Sequence, residues 1–293
     1  MIKRAKMIRS YFLALSTVVL ITSCSHDNEM LQVTKNDNGG VKAVSITAVL
    51  PENMMTRAVA ADDAAVSRCY VQVLAADGSE LGDGHSVKSM TAAENGYTAT
   101  VYLKEDESYT FLFWADNATS NVTDLKNVPY TNGTTIAWAG KMADQSWSES
   151  GITCNLEHAV ARITVHTTTA VTLTDANSFT VNVPTVYSAY NVYEEKPVSS
   201  ATVENGYTYT DTNSAATDDA DLCHFYVLVD GYNQILTMQY NGVLGNPAVQ
   251  VTEVPLKANC HTTLSGDVCH LGLVNGTITA TMQNDWDNDS KDF

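Results

Sequence analysis

The chain has 293 residues, with 16 basic residues against 33 acidic ones and a formal charge of −17. A field of that sign makes nucleic acid and anionic membrane surfaces poor partners. It also opposes non-specific self-association, so any assembly needs specific contacts. Residues 1–10 carry Lys3, Arg4, Lys6 and Arg9, an apolar run fills 11–21, and Thr22-Ser23-Cys24 closes it. A basic region, a short apolar core and a small-residue end predict a secretory signal over residues 1–23. The run is too short for a bilayer span, which needs about 20 apolar residues. No second apolar stretch of that length follows, so the remainder is expected to be exported and to lie outside the bilayer. Residues 1–23 hold four of the basic residues and no acidic one, leaving 12 against 33, or −21. Residues 24–40 are polar and aperiodic, as in a flexible tether.

Ile21-Thr22-Ser23-Cys24 resembles a bacterial lipobox, in which the cysteine is lipidated and becomes the mature N-terminus. The other reading is an ordinary signal peptide with an incidental Cys24. Asp27 and Glu29, just behind, resemble the surface-export signal of Bacteroidota lipoproteins.

From residue 41 onward, short alternating runs separated by turn residues predict an all-β chain of sandwich type. Val44, Ile46, Ala48 and Leu50 share one face of the first run, with Ser45 and Thr47 opposite. Strands are expected over 69–74, 97–103 and 109–114, the last two separated by the acidic turn Lys104-Glu105-Asp106-Glu107. Residues 119–125 suit one short helical turn. Further strands are expected over 159–167, 180–183, 224–229, 235–240 and 249–254. Residues 271–274 and 277–282 flank Asn275-Gly276, a type I′ hairpin signal. Glu94-Asn95-Gly96-Tyr97-Thr98 recurs as Glu204-Asn205-Gly206-Tyr207-Thr208, from shared turn chemistry or from two equivalent domains. Some 250 ordered residues exceed one sandwich of about 100. The polar segment 146–151 places the boundary near 155, giving domains over 41–155 and 156–293.

The residues predict no catalytic or metal centre and no cofactor. There is no His-Glu-x-x-His, Gly-x-Ser-x-Gly, phosphate-cradling glycine loop or Cys-x-x-Cys. Cys223-His224, Cys260-His261 and Cys269-His270 are adjacent pairs, and neighbours on a strand point to opposite faces. Beyond Cys24 five cysteines remain, an odd number read as buried apolar residues, with a Cys260–Cys269 disulfide as the alternative. Asp285, Asp287 and Asp289 alternate as in calcium loops but lack the turn glycine and later glutamate. The tryptophans and tyrosines are expected in the core more than on a sugar platform.

Several stretches resemble the fimbrillins of Bacteroidales, the type V pilins and their fimbrillin-like lipoprotein relatives. They are Tyr109-Thr110-Phe111-Leu112-Phe113-Trp114-Ala115-Asp116, Leu156-Glu157-His158-Ala159-Val160-Ala161-Arg162-Ile163, and Val254-Pro255-Leu256-Lys257 with the terminal Asn284-Asp285-Trp286. The resemblance implies two tandem transthyretin-like, Greek-key β-sandwich domains after a lipoprotein signal peptide. It implies a lipid-anchored precursor at the outer membrane, cut after an arginine and assembled by strand exchange with other fimbrial subunits. Arg57 is then the processing residue and Ala58 the new N-terminus. Arg68, which abuts the strand beginning at Cys69, is the nearest competitor and is expected to be less accessible. The removable strand holds Val44, Ile46, Ala48 and Leu50, and the donor strand Ile278, Ala280 and Met282. Only seven mostly polar residues follow Trp286, too few apolar ones for a donor strand. A shaft, tip or anchor role stays open. The alternative is a surface lipoprotein that binds a glycan or host protein.

Overall fold

The computed structural model describes residues 40–51, 66–81, 87–94, 96–242, 245–273 and 276–284. Cys24, Arg57, Ala58, Asn275 and the carboxylates around Trp286 lie outside them. Among the described residues the regular elements are all strands apart from one 3-10 turn at Ser199–Ala201. The first half contains β1 Val41–Val49, β2 Arg68–Ala75, β3 Lys88–Ser89, β4 Thr91–Ala93 and β5 Gly96–Lys104. It continues with β6 Ser108–Asp116, β7 Val128–Pro129, β8 Ala137–Ser146, β9 Ile152–Asn155 and β10 Glu157–His158. The second half contains β11 Ala161–Thr167, β12 Val171–Thr172, β13 Ser178–Val183, β14 Ala189–Asn191, β15 Lys196–Pro197 and β16 Tyr207–Asp211. It ends with β17 Ala215–Ala216, β18 Ala220–Val227, β19 Asn233–Asn241, β20 Val249–Pro255, β21 Cys260–Gly266 and β22 Ile278–Asn284.

Four main sheets form two sandwich-like bodies. In the first, β4-β5-β1-β9 faces β10-β8-β6-β2-β3; in the second, β18-β11-β21-β22 faces β16-β13-β19-β20. The two follow one path. Each first strand, β1 or β11, lies between an antiparallel neighbour, β5 or β18, and a parallel one, β9 or β21. Each opposing sheet runs through equivalent strands, β3-β2-β6-β8 and β16-β13-β19-β20. β22 adds an eighth strand to the second body, antiparallel to β21. The order of that second body is the Greek key expected of a transthyretin-like sandwich.

Burial explains the strand patterns. On β1, Val44, Ile46 and Ala48 are buried while Ser45 is exposed, as expected for a strand with one face on a core. β6 differs, because every residue after Ser108 is buried. One face lies in the sandwich. Over the other, the Trp114 ring sits 5.5 Å from that of Tyr190, contributed by the second half. Tyr190, Val192, Tyr226 and Leu228 all belong to the first hydrophobic cluster, although the second cluster begins at Ala161.

Hydrogen bonds hold this overlap. β7 and β14 pair, and Tyr130 and Val192 donate their amides to the Ser188 and Leu125 carbonyls. Gly133 and Tyr226 exchange both backbone bonds at 2.8 Å. Asn132 spans the same join, donating to the Tyr187 carbonyl and accepting from the Leu228 amide. Lys126 and Lys141 each bring Nζ over the Tyr193 ring, 5.0 and 4.8 Å from its centroid. The segment around β14 and β15 is thus a strap from the second half, packed on the outer face of the first.

Some local readings are corrected. Residues 119–125 form no helix but a loop ending in a turn. Residues 271–273 are turn, not strand, and the antiparallel partner of β22 is β21. The Asn-Gly echo falls on non-equivalent strands. Gly96 opens β5, which pairs with β1, whereas Gly206 precedes β16, which pairs with β13. The echo is thus one of turn residues and not of equivalent strands: Gly96, Asn205 and Gly206 all have positive φ, at 126°, 65° and 71°, which glycine and asparagine tolerate best.

Candidate functional site

β1 occupies the middle of its sheet. Ile46 lies between Ala99 of β5 and Ile152 of β9, and Ala48 between Tyr97 and Cys154. Val44, Ile46, Ala48 and Leu50 are 2%, 0%, 0% and 7% exposed, so all four are knobs set into the first core. Leu156 closes the far end by donating its amide to the Val49 carbonyl at 2.8 Å. The strand leads directly into the segment that holds Arg57.

Two glycines let neighbouring backbone approach β1. A Cβ on Gly96, whose φ is +126°, would fall 2.1 Å from the Ala48 carbonyl oxygen. One on Gly151, φ +82°, would fall 2.8 Å from that of Ser45. Gly96→Ala is therefore expected to destabilise the first sandwich by about 1–3 kcal/mol from backbone strain alone. The check is a lowered urea midpoint together with faster hydrogen exchange in β1. An unchanged midpoint would refute the contact.

The candidate donor residues Ile278, Ala280 and Met282 lie on β22 and are half-buried, Ile278 and Ala280 against the second core. β22 pairs with β21 over seven positions, from Gly266–Ile278 to Cys260–Asn284. It is an edge strand, with no partner on its other side among the described residues. β1 and β22 share a sequence pattern. Ser45-Ile46-Thr47-Ala48-Val49-Leu50 on β1 matches Thr277-Ile278-Thr279-Ala280-Thr281-Met282. Both read Ile-Thr-Ala followed two residues on by a long aliphatic, at strand spacing. In that alignment Ile278 corresponds to Ile46 and Ala280 to Ala48.

Arg68 is held fast. Its guanidinium pairs through Nε and Nη2 with both oxygens of Asp116, which is 1% exposed, and donates to the Ser120 carbonyl. Asp116 also accepts from Trp114 Nε1 at 2.6 Å and the Ala118 amide at 3.1 Å. Its hydrogen bond to Asp116 raises the Arg68 pKa further. A protease that seats an extended arginine in its pocket would have to break this pair. The acidic residue closing the aromatic strand thus has a structural task.

The remaining polar clusters are also structural. Cys69, Cys154, Cys223, Cys260 and Cys269 are all free, so the alternative Cys260–Cys269 disulfide is not formed. Burial pushes the thiols of Cys69, Cys154 and Cys223 up to about 12, far from thiolate chemistry at neutral pH. Among the described residues no three His, Cys, Asp or Glu side chains are grouped to hold a metal ion. Trp114 and Trp138 are fully buried in the core. His166 bridges Asp221, 2.9 Å from Nδ1, and Asp219, 3.1 Å from Nε2. Those bonds, to Asp221 first, raise its pKa. The stabilisation is complete below about 6.5, the unfolded histidine value, and fades as pH rises through the folded value. His166→Gln should therefore lower stability more at pH 5.5 than at pH 9, read from urea midpoints. Equal losses at both pH values would refute the pair.

A family model described as a family of unknown function, DUF6562, matches residues 35–292. The chain belongs to the DUF6562 family. A search of curated proteins finds no match. Among solved structures, the DUF6562 chain is similar to a candidate cell adhesion protein from Bacteroides uniformis, with TM-score 0.51 and 16% identity, covering 85% of this chain and 99% of that one. A second, from Bacteroides ovatus, has TM-score 0.51 and 11% identity, covering 84% and 98%. The tip fimbrial protein Mfa3 from Porphyromonas gingivalis, with a C-terminal truncation, gives 0.48 and 11%, covering 84% and 100%. At these identities the first two show the fold of this chain and nothing more, and the third falls short of that.

Proposed function

We propose that this chain is a cell-surface fimbrial or adhesive subunit, anchored through Cys24 and matured by cleavage after Arg57. Its two sandwiches then act as consecutive domains, one accepting a strand and one donating it. The observation that carries the reading is the placement of β1, a central strand that together with Leu50 just after it buries four knobs, immediately before the segment that contains Arg57. The shared fold with proteins assigned to cell adhesion supports it.

Once the chain is cut, β1 is held by its ladders and knobs alone. Its loss would open unpaired edges on β5 and β9 with apolar pockets between them, a template for an added strand. The β22 of another copy matches the central spacing of that template. Its two large knobs, Ile278 and Met282, at about 1.5–3 kcal/mol each, give roughly 3–6 kcal/mol before ordering costs. Head-to-tail exchange does not close on itself, so it yields a filament. Cutting would remove four acidic and three basic residues from the segment 24–57, leaving 9 basic against 29 acidic, or −20. The change on maturation is one of sterics and hydrogen bonding, not of charge.

One observation favours the anchor or terminal role as a second reading. β22 is already paired with β21 over seven positions, and donation must peel it away. The test is to treat purified precursor with an arginine-specific protease and follow detergent-stable oligomers. A ladder from the native chain but not from Arg57→Ala supports exchange; monomers from both would leave only the anchor reading.

A further inference from the structure

The β1 position has two ends with different demands, and β22 satisfies only one of them. Counting back from the Ile-Thr-Ala match, Gly276 stands where β1 has Val44, and Val274 where it has Lys42. Val44 is 2% exposed and opposes Val101 on β5, so glycine leaves that pocket empty. Lys42 makes two contacts that valine cannot. Its Nζ lies 2.7 Å from Glu105 Oε2 and 4.3 Å from the centroid of the Trp147 ring. Trp147 Nε1 also donates to the Ala43 carbonyl at 3.1 Å, a bond to backbone that any residue can receive. Glu105 belongs to the β5–β6 turn and Trp147 follows β8, so both remain when β1 leaves.

We propose that this end of the groove is a specificity subsite, selecting a strand with a basic residue followed two positions later by a branched aliphatic one. The inference rests on the strand-exchange reading above. The full pattern is basic-x-branched-x-Ile-x-small-x-aliphatic. Glu105 and the Trp147 face read the charge, the Val44 pocket reads the branch, and Ala48, fully buried, stands at the small position. The best occupant is thus a subunit other than this chain, with that pattern in its donor strand. Homopolymerisation through β22 is a partial fit, and assembly is biased towards a mixed filament.

The experiment uses the full chain with a specific protease site replacing residues 55–59, cut but not separated. A fluorescent peptide of residues 41–51 is exchanged into the groove and competed by unlabelled peptides. Residues 273–283 should compete about thirtyfold more weakly than 41–51, from the missing valine and its buried methyl groups. The double change Val274→Lys and Gly276→Val in that peptide should restore competition to within about threefold. Glu105→Gln in the protein should cut the benefit of the lysine, by about twofold to fivefold, without touching that of the valine. If the altered peptide competes no better than its parent, the subsite is refuted while exchange stands. If the 41–51 peptide itself never exchanges, the strand-exchange reading falls, and the subsite with it.

Discussion

Ile46→Ala is expected to lower the stability of the first sandwich by about 2–5 kcal/mol, the range for truncating a buried aliphatic side chain. Ile46 is fully buried at the centre of β1, flanked on both sides by paired strands, so the cavity has little room to collapse. A domain of ordinary stability has about 5–15 kcal/mol in total, so the loss is a large share. Urea unfolding followed by tryptophan fluorescence reads it directly, since Trp114 and Trp138 lie in the same core. The same change in a chain cut after Arg57 should speed loss of the 41–57 segment. A loss below about 1 kcal/mol would mean that β1 is not a structural strand.

Trp114→Ala is expected to cost about 3–5 kcal/mol and to change the form of unfolding. The ring packs against Tyr190 of the strap, and its Nε1 helps hold Asp116 beside Arg68. Truncation removes both the strap's anchor and one of the donors to a buried carboxylate. Because the first cluster includes Tyr190, Val192, Tyr226 and Leu228, the native chain should unfold in one calorimetric transition. With the strap loosened, the two clusters should separate into two transitions. Two transitions already in the native chain would show that the strap does not couple the halves.

Much of the strand framework was legible because one-sided burial leaves an alternating record, as on β1. β6 was legible for a different reason: its aromatic run is continuous because both faces are covered, although nothing local says by what. β8 was missed, with Gly140 and Asp144 among its residues and most of its length only half-buried or exposed. β9 is four residues long and owes its place to parallel pairing with β1, over a hundred residues earlier. Asn275-Gly276 suggested a local hairpin, yet β22 finds β21 across a turn-rich excursion, where tertiary pairing outweighs the nearest turn signal. The strap could not be foreseen, since Tyr190 and Val192 look like ordinary strand residues of their own half. For the site, the alternation marked the four knobs of β1 correctly as one face. The kinship of β1 with β22 is written in the sequence but gains meaning only when both strands have a sheet.

Assembly by strand exchange requires that the segment containing Arg57 be cut on the cell. N-terminal sequencing of the protein extracted from intact cell surfaces tests this most directly. The expected species begins at Ala58, without residues 24–57. A surface population consisting only of chains that begin at lipidated Cys24 would contradict it.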